Sequence, residues 1–357
     1  MTDSEWLLPL AGLLVGIVLG AAARWNHFCT LSALERYWFA NDSKGLRTWV
    51  LAIAVALSST QFLQAFGIID ISQSFYLTAR LQLLGALVGG LLFGVGMALV
   101  GTCSFGALVM LGGGSLRSLV VTVGIGLAAI ATQRGLIAKF RVSYIEPTAI
   151  PLDTIGSQSI ADIIGHWFNA PAPLPIALLL SAAMVFWVMS DANFRREFKS
   201  IFVATIIGLC VTLGWYISHT MKGVLFSPVQ MESASFALPL GQIIQSIIAA
   251  TSHVPDYGMG LAVGVICGAA LIAWFNDDFR WEACDDAREL SRHLTGAFFM
   301  GTGGVLAAGC TIGQGISAAS TLALSAPIVF FSIYFGARMG LGLLLEGSAF
   351  GFLRSHN

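Results

Sequence analysis

Two cysteines, Cys103 and Cys310, lie within a glycine-and-cysteine pattern that the chain contains twice. The first copy comprises Gly89, Gly94, Gly96, Cys103 and Gly106, and the second comprises Gly296, Gly301, Gly303, Cys310 and Gly313. Each residue of the first copy is separated from its counterpart by 207 positions. A duplicated motif centred on a polarizable thiol, in apolar sequence, predicts a transport path built from two related halves.

Each motif cysteine precedes a short apolar stretch that starts with a hydroxyl residue, Ser104 or Thr311. The N-terminus of such a short helix offers unpaired backbone N–H groups and the positive end of the helix dipole, which suit an anion. Ser104 and Thr311 are expected to cap these helices or to donate hydroxyl hydrogen bonds. The thiol adds a weak S–H donor and a soft sulfur. We therefore expect a small oxyanion that carries a soft sulfur or selenium atom, with Gly106, Gly313 and Gln314 as further supporting residues.

Cys29 belongs to a weaker version of the pattern, Arg24-Trp-Asn-His-Phe-Cys29-Thr30. It lacks the downstream glycine, and the matching junction of the second half contains Phe226-Ser-Pro and Ser233-Ala-Ser-Phe236 without a cysteine. We predict that the path runs from Cys310 through Cys103 to Cys29, from outside to inside. His27 has two interpretations, a residue that tunes Cys29 or binds a metal and an ordinary interfacial histidine.

Other polar residues have simpler interpretations. Cys210 and Cys267 lie in continuous apolar runs and are expected to be packing residues. Arg24 is interpreted as a residue that follows the positive-inside rule, and Arg80 and Lys222 as interfacial anchors that could also attract an anion. The acidic loop around residues 277–289 is expected to be a solvated face or a docking site for a basic partner. No pair of cysteines has the CxxC spacing, and we expect no metal and no cofactor.

The composition places these residues in a membrane. Of the 357 residues, 56% are hydrophobic and only 10% are charged, and 40 are glycine. A mean hydropathy of +0.81 is too high for a protein that water surrounds on all sides. The net charge of −1 argues against a nucleic-acid partner, and the first residues predict no cleaved signal peptide.

The apolar runs predict an all-α integral membrane protein with about nine transmembrane helices and four re-entrant half-helices in two inverted repeats. The predicted spans lie near residues 6–23, 46–68, 80–99, 117–133, 175–190, 201–218, 258–274, 293–309 and 326–346. The predicted half-helices cover residues 28–39, 104–114, 235–249 and 311–321.

Two units follow from the order of these segments. Residues 1–135 form a first repeat with four spans and two half-helices, and residues 201–357 form a second repeat of the same kind. Residues 136–200 supply an outer loop and a connecting span. Because five spans separate matching members, the two units are expected to have opposite orientations in the membrane.

Positive charge predicts the orientation. Lysines and arginines follow the first, fifth and seventh predicted spans, at residues 24–47, 195–199 and 280–292. We therefore expect the N-terminus outside and the C-terminus in the cytoplasm. Arg134, Lys139 and Arg141 lie on the opposite side in a long segment, where the rule is weak.

The two copies of the motif, together with Phe28-Cys29, resemble the YeeE/YedE family of sulfur transporters over nearly the whole chain. The resemblance implies thiosulfate uptake across the bacterial inner membrane, with Cys29, Cys103 and Cys310 passing the ion inward through S–H···S hydrogen bonds. It also implies a cytoplasmic sulfur-carrier protein of the TusA type as a partner. The family includes members linked to selenium, so a selenium compound is an alternative substrate.

Two further function classes remain at this stage. A membrane thiol or sulfurtransferase enzyme would use Cys103 and Cys310 and would form a covalent persulfide or disulfide. A structural subunit would only anchor a partner. The chain contains no CxxC and no obvious intramembrane base, which favours a transporter and not an enzyme.

Overall fold

The computed structural model describes residues 6–152, 156–168, 173–224, 229–249, 255–284, 286–345 and 347–348. The described chain is almost entirely helical. The helices are α1 Leu7–Trp25, α2 Thr30–Ala40, α3 Lys44–Ala65, α4 Leu83–Val100, α5 Ser104–Gly112, α6 Leu116–Gln133, α7 Leu136–Phe140, α8 Ile160–Phe168, α9 Pro173–Met189, α10 Ala192–Arg195, α11 Phe198–Val224, α12 Ala237–Ile248, α13 Tyr257–Phe275, α14 Ala287–Leu306 and α15 Ser325–Leu345. The shorter elements are 3₁₀ turns at Phe75–Leu77 and Glu146–Thr148, π-helical turns at Arg141–Ile145 and Gly313–Ala318, and strands β1 Arg80–Leu81 and β2 Ile150–Pro151.

Every predicted span corresponds to a helix. Seven helical stretches in the described residues are long and apolar enough to cross a bilayer. The other two predicted spans are α9, which has 17 residues, and α14, which begins with a charged turn containing Arg288 and Glu289. The all-α membrane fold is therefore confirmed, while the number of nine crossings stays a prediction.

The four predicted half-helices are also helical. Three of them are α2, α5 and α12, and the fourth is a helical run over residues 311–320 that contains the π-helical turns. Each is too short to cross a hydrocarbon core of about 30 Å. Their re-entrant placement stays a prediction.

The packing of the long helices comes in matched pairs. Helix α1 packs on α13, and α3 packs on α11; α4 packs on α15, and α6 packs on α14. Helices α4 and α14 pack on each other at the centre of the described structure. Two units related by a twofold axis would produce this pattern. Exchanging the units converts the α1–α13 pair into the α11–α3 pair, and the α4–α15 pair into the α14–α6 pair.

The repeated glycines provide the contact between α4 and α14. A Cβ at Gly89 would lie 2.7 Å from the Gly303 carbonyl oxygen, and a Cβ at Gly96 would lie 2.5 Å from the Gly296 oxygen. The contacts are reciprocal, since a Cβ at Gly303 would lie 2.5 Å from the Gly89 oxygen. Glycine is required here because only its lack of a side chain lets the two backbones approach so closely.

The basic loops that the sequence places together do share one face. Arg24 forms a salt bridge of 2.5 Å with Asp278, and Lys44 forms one of 2.6 Å with Glu197. Arg117 reaches Glu282 at 3.1 Å. The acidic loop is therefore partly neutralised by arginines of this chain, while Asp278 and Glu282 stay about half exposed, as expected of a solvated face.

The opposite face contains more structure than the sequence predicted. The segment after α6, expected to be a plain outer loop, contains α7, α8 and two turns. Strand β2 in this segment pairs antiparallel with β1, with Arg80 opposite Pro151 and Leu81 opposite Ile150. This pairing holds the segment against the end of α4.

Candidate functional site

Each of the three site cysteines lies where a long helix ends and a short helix begins. A residue with left-handed backbone precedes each cysteine by two positions: His27 (φ 51°), Gly101 (φ 84°) and Ala308 (φ 54°). The carbonyl oxygen of each cysteine accepts the first hydrogen bond of the short helix, at 3.1 Å for Cys29 and 2.8 Å for Cys103 and Cys310. The left-handed residue ends one helix, and the cysteine starts the next.

The thiols of the motif cysteines cap their own helices. The Gly106 N–H donates to Cys103 Sγ at 3.3 Å, and the Gly313 N–H donates to Cys310 Sγ at 3.4 Å. Of the two roles expected for Ser104 and Thr311, capping is therefore wrong, because the sulfur occupies the capping position. Their hydroxyls remain available as hydrogen-bond donors.

Cys29 and Cys103 lie side by side. Thr30 Oγ1 donates to Cys103 Sγ at 3.9 Å, and Thr102 Oγ1 lies 3.5 Å from Cys29 Sγ. The residue next to each cysteine therefore contacts the other cysteine, which brings two of the three predicted path cysteines together.

Cys310 starts a short helix near Cys103. Thr311, the residue after Cys310, lies beside the Cys103 thiol, although its hydroxyl makes no hydrogen bond of normal geometry within the described chain. Tyr76 lies close enough to Cys310 to interact with it electrostatically. Both Cys103 and Cys310 are completely buried. The order of the three cysteines along a path stays a prediction.

Buried donors without a partner surround these thiols. Among the described residues, the hydroxyls of Tyr76, Ser104 and Thr311 and the indole N–H of Trp49 make no hydrogen bond. All four side chains are at most 2% exposed. An unpaired buried polar group is costly, typically about 1–3 kcal/mol, so four of them in one region indicate a site for a ligand that accepts hydrogen bonds.

The supporting residues have separate roles. Gln314 Nε2 donates to the carbonyl oxygens of Ala307 and Ala308 at 2.7 and 3.2 Å. The Gln314 side chain therefore gives two carbonyl groups after the end of α14 a hydrogen-bond donor. A Cβ at Gly106 would lie 2.2 Å from Thr102 Oγ1, and one at Gly313 would lie within 3.0 Å of a hydroxyl oxygen. The glycines therefore let these hydroxyl groups approach the starts of the short helices closely.

A cavity of about 330 Å³ reaches Cys29 from the face with the basic loops. We call it the Cys29 cavity. Its lining includes the cations Arg36, Lys44 and Lys199 and the acids Asp42 and Glu197. His27 lines it as well, and no cluster of metal-binding residues exists among the described residues.

Two further cavities lie on the face with β1 and β2. The Ser235 cavity has about 220 Å³, and the Tyr76 cavity has about 240 Å³. Phe75 and Arg141 line both cavities, so we treat the two as one vestibule, the Arg141 vestibule. Arg80 lines the Tyr76 cavity. Lys222 lines a separate depression, so the two cations that the sequence grouped together lie apart.

The remaining cysteines lie off this path. Cys210 is buried in the core, as expected of a packing residue. Cys267 is exposed on α13, so the expectation that it packs inside the protein is wrong. The exposed position follows from the helical period, because the neighbouring Gly264 and Gly268 face α1.

Sequence reasoning missed Tyr76 and Trp49. Tyr76 belongs to a 3₁₀ turn that Ser74 caps, in a connecting segment without a motif. Trp49 lies in α3, where it stacks on Phe28 with ring centroids 5.3 Å apart. Neither residue carries a local signal, since both reach the site only through contacts between distant segments.

Comparison with known proteins gives consistent results. The sequence profile of the family described as "Sulphur transport" matches residues 26–339. The chain is 23% identical over 328 residues to the thiosulfate transporter TsuA of Escherichia coli (strain K12), covering 86% of each chain. It is 26% identical over 334 residues to the thiosulfate transporter TsuA of Spirochaeta thermophila, covering 91% of this chain and 94% of the relative.

Proposed function

This chain belongs to the sulphur transport family, and on that premise we propose that it carries thiosulfate or a related sulfur anion across the bacterial inner membrane. The ion passes Cys310, Cys103 and Cys29 in that order. The observation that carries this proposal is the pair of completely buried thiols, Cys103 and Cys310, beside buried hydroxyls without partners, with the half-buried Cys29 at a cavity on the face with the basic loops.

The chemistry of these groups suits such an ion. A bare anion in a medium of low polarity is unfavourable by many kcal/mol unless donors replace its hydration shell. Ser104 and Thr311 supply hydroxyl donors for the oxygens of the ion. The thiols supply S–H donors for its terminal sulfur. Because a thiol is a weak donor, the ion is held loosely enough to move from one cysteine to the next.

The surroundings of the path support the proposed direction. The Arg141 vestibule receives the anion on the outer side, and the Cys29 cavity releases it on the inner side. The arginine and lysines of the Cys29 cavity retain the released ion near the membrane surface. We propose a TusA-like sulfur-carrier protein as the acceptor there, and we propose that residues 1–135 and 201–357 are the two inverted repeats.

The test is uptake of ³⁵S-thiosulfate into proteoliposomes by the wild type and by Cys29→Ala, Cys103→Ala and Cys310→Ala. We expect each variant to lose at least about tenfold in uptake, because a hydrogen bond to a charged ligand contributes about 1.5–3 kcal/mol. Cys103→Ala should lose most, since Cys103 lies between the other two thiols.

Cys267→Ala is the matched control, because this cysteine is exposed on α13, away from the path. It should transport like the wild type. Equal uptake by all four variants would contradict a path through the thiols. A persulfide that stays on Cys103 or Cys310 after exposure to thiosulfate would instead support an enzyme.

A further inference from the structure

In the second half, Ser235 lies next to Gly313 as Cys29 lies next to Gly106 in the first half. The residue at the start of α12, which matches Cys29 at the start of α2, is Phe236. In the first half, a Cβ at Gly106 would lie 3.4 Å from Cys29 Sγ. In the second half, a Cβ at the matching Gly313 would lie 2.9 Å from Ser235 Oγ. The sequence left several candidates at this junction, of which Phe226-Ser-Pro lies outside the described residues. The contact with Gly313 singles out Ser235.

Tyr76 completes the same contact. Its hydroxyl oxygen would lie 3.0 Å from a Cβ at Gly313, and it faces the Ser235 side chain. The side chain is 2% exposed, and its hydroxyl makes no hydrogen bond of normal geometry in the part of the chain that the structure describes. Two hydroxyls therefore converge on the space that the missing side chain of Gly313 leaves open.

We infer that Ser235 and Tyr76 form a hydroxyl gate that binds the oxygen-bearing end of the anion before Cys310 receives it. This inference rests on the proposed function and adds two residues that decide which end of the ion is bound first. The gate selects ligands with a tetrahedral oxyanion group, such as a sulfonate-type SO₃ end.

The position of the gate fits this role. Ser235 lines one part of the Arg141 vestibule, and Tyr76 lines the other. Both parts therefore lead to the gate, and Cys310 is buried beyond it. Arg141, which forms a salt bridge of 2.5 Å with Glu146, brings a guanidinium to the same vestibule.

One acidic group also lines the vestibule. Glu232 is 7% exposed and accepts a hydrogen bond from the Gly258 N–H at 3.2 Å. As a carboxylate it would repel an anion, so the hydroxyl donors and Arg141 must outweigh it. Its presence explains why the gate needs more than one donor.

The gate also orients the ion. Hydroxyls are harder and stronger donors than thiols, so they bind the oxygens of thiosulfate in preference to its terminal sulfur. The terminal sulfur is then free to meet the S–H groups of Cys310 and Cys103. An ion without oxygens, such as hydrosulfide, gains nothing from the gate.

The experiment measures the KM for thiosulfate uptake into proteoliposomes by Ser235→Ala and Tyr76→Phe, with inorganic sulfate and hydrosulfide as competitors. We expect KM to rise about tenfold or more in each variant, from the loss of a hydrogen bond to a charged ligand. Sulfate should compete with thiosulfate in the wild type and much less in both variants. Competition by hydrosulfide should be the same in the wild type and in both variants.

Thermal unfolding of the purified proteins gives a readout that does not depend on transport. Thiosulfate and sulfate should raise the Tm of the wild type and of Cys103→Ala, which keeps the gate, but not that of Ser235→Ala or Tyr76→Phe. Unchanged KM and unchanged stabilisation in both gate variants would overturn the gate. If Cys103→Ala did not reduce uptake, the proposed path through the thiols would be overturned. The Tm measurements would still decide whether Ser235 and Tyr76 bind the anion.

Discussion

The junctions at Gly106 and Gly313 have the same backbone and different chemistry. In both, a cysteine caps a short helix, and its sulfur accepts the glycine N–H at 3.3 or 3.4 Å. At Gly106 the nearest side chains are the hydroxyl of Thr102 and the thiol of Cys29, whereas at Gly313 they are the hydroxyls of Ser235 and Tyr76. The two junctions therefore share a backbone, and only the first places a second thiol beside the glycine.

The neighbours of the two junctions increase this difference. Cys29 contacts Thr102 and Cys103, so the Gly106 junction contains two adjacent thiols. Ser235 faces Tyr76, so the Gly313 junction contains two adjacent hydroxyls. A thiosulfate ion has one soft and one hard end. On the proposed path it would meet first the pair of hydroxyls, which matches its oxygens, and then the thiols, which match its sulfur. This difference would give the proposed path a direction that the symmetric glycine motif lacks.

Adding a methyl group at each junction should have the largest effect. Gly106→Ala places a Cβ 2.2 Å from Thr102 Oγ1, which must move away from Cys29. Gly313→Ala places a Cβ between the hydroxyls of Ser235 and Tyr76. We expect thiosulfate uptake to fall by about tenfold to a hundredfold in both variants, since each loses at least one hydrogen bond to the ion.

The control for this pair is Gly223→Ala, because a Cβ there meets no atom within 4 Å. Uptake assays and the Tm of each variant separate a blocked path from an unfolded protein. A Gly313→Ala protein that transports normally would mean that the two hydroxyls do not face the ion.

Making the second junction like the first should have a smaller effect. Ser235→Cys replaces the hard donor by a soft one of similar size, so we expect uptake to continue with a KM about three- to tenfold higher. The new thiol should also make transport sensitive to a membrane-impermeant methanethiosulfonate reagent added from the outer side. The wild type should resist the same treatment, because Cys310 is buried. An unchanged KM together with no sensitivity to the reagent would show that Ser235 lies off the path.

Removing the acidic group of the vestibule should have the smallest effect, with the opposite sign. Glu232→Gln removes an ionisable group near the gate and retains an acceptor for the Gly258 N–H. Burial raises the pKa of this carboxyl group well above its ordinary value, so its negative charge is present only at high pH. We expect the KM for thiosulfate to fall by about two- to fivefold at high pH, where repulsion is removed, and to be unchanged at low pH. A KM that rises in Glu232→Gln would mean that the carboxyl group binds the ion or a proton that travels with it.

The sequence predicted where the helices form and which two cysteines belong to the repeated motif, because both can be read from patterns along the chain. Apolar runs fix where helices form, and the spacing of 207 residues identifies the repeated pattern. The structure brings the Cys29 and Cys103 junctions together, and the order of the three cysteines along a path stays a prediction.

The rest of the site depends on contacts between distant segments. Tyr76 and Gly313 are separated by more than two hundred residues, and nothing in the sequence near Tyr76 distinguishes it from other aromatic residues of connecting segments. The position of Ser235 beside Gly313 was hidden for a related reason. The second half contains several serines at this junction, and only packing against Gly313 separates them.

The most direct test of a thiol-dependent path is the ratio of initial ³⁵S-thiosulfate uptake rates of Cys103→Ala and Cys267→Ala, measured in proteoliposomes at equal protein density. Both variants lose one thiol, but Cys103 is completely buried, whereas Cys267 is exposed on α13. We expect a ratio below about one-tenth, from the loss of one hydrogen bond to the ion on the proposed path. A ratio near one would contradict it.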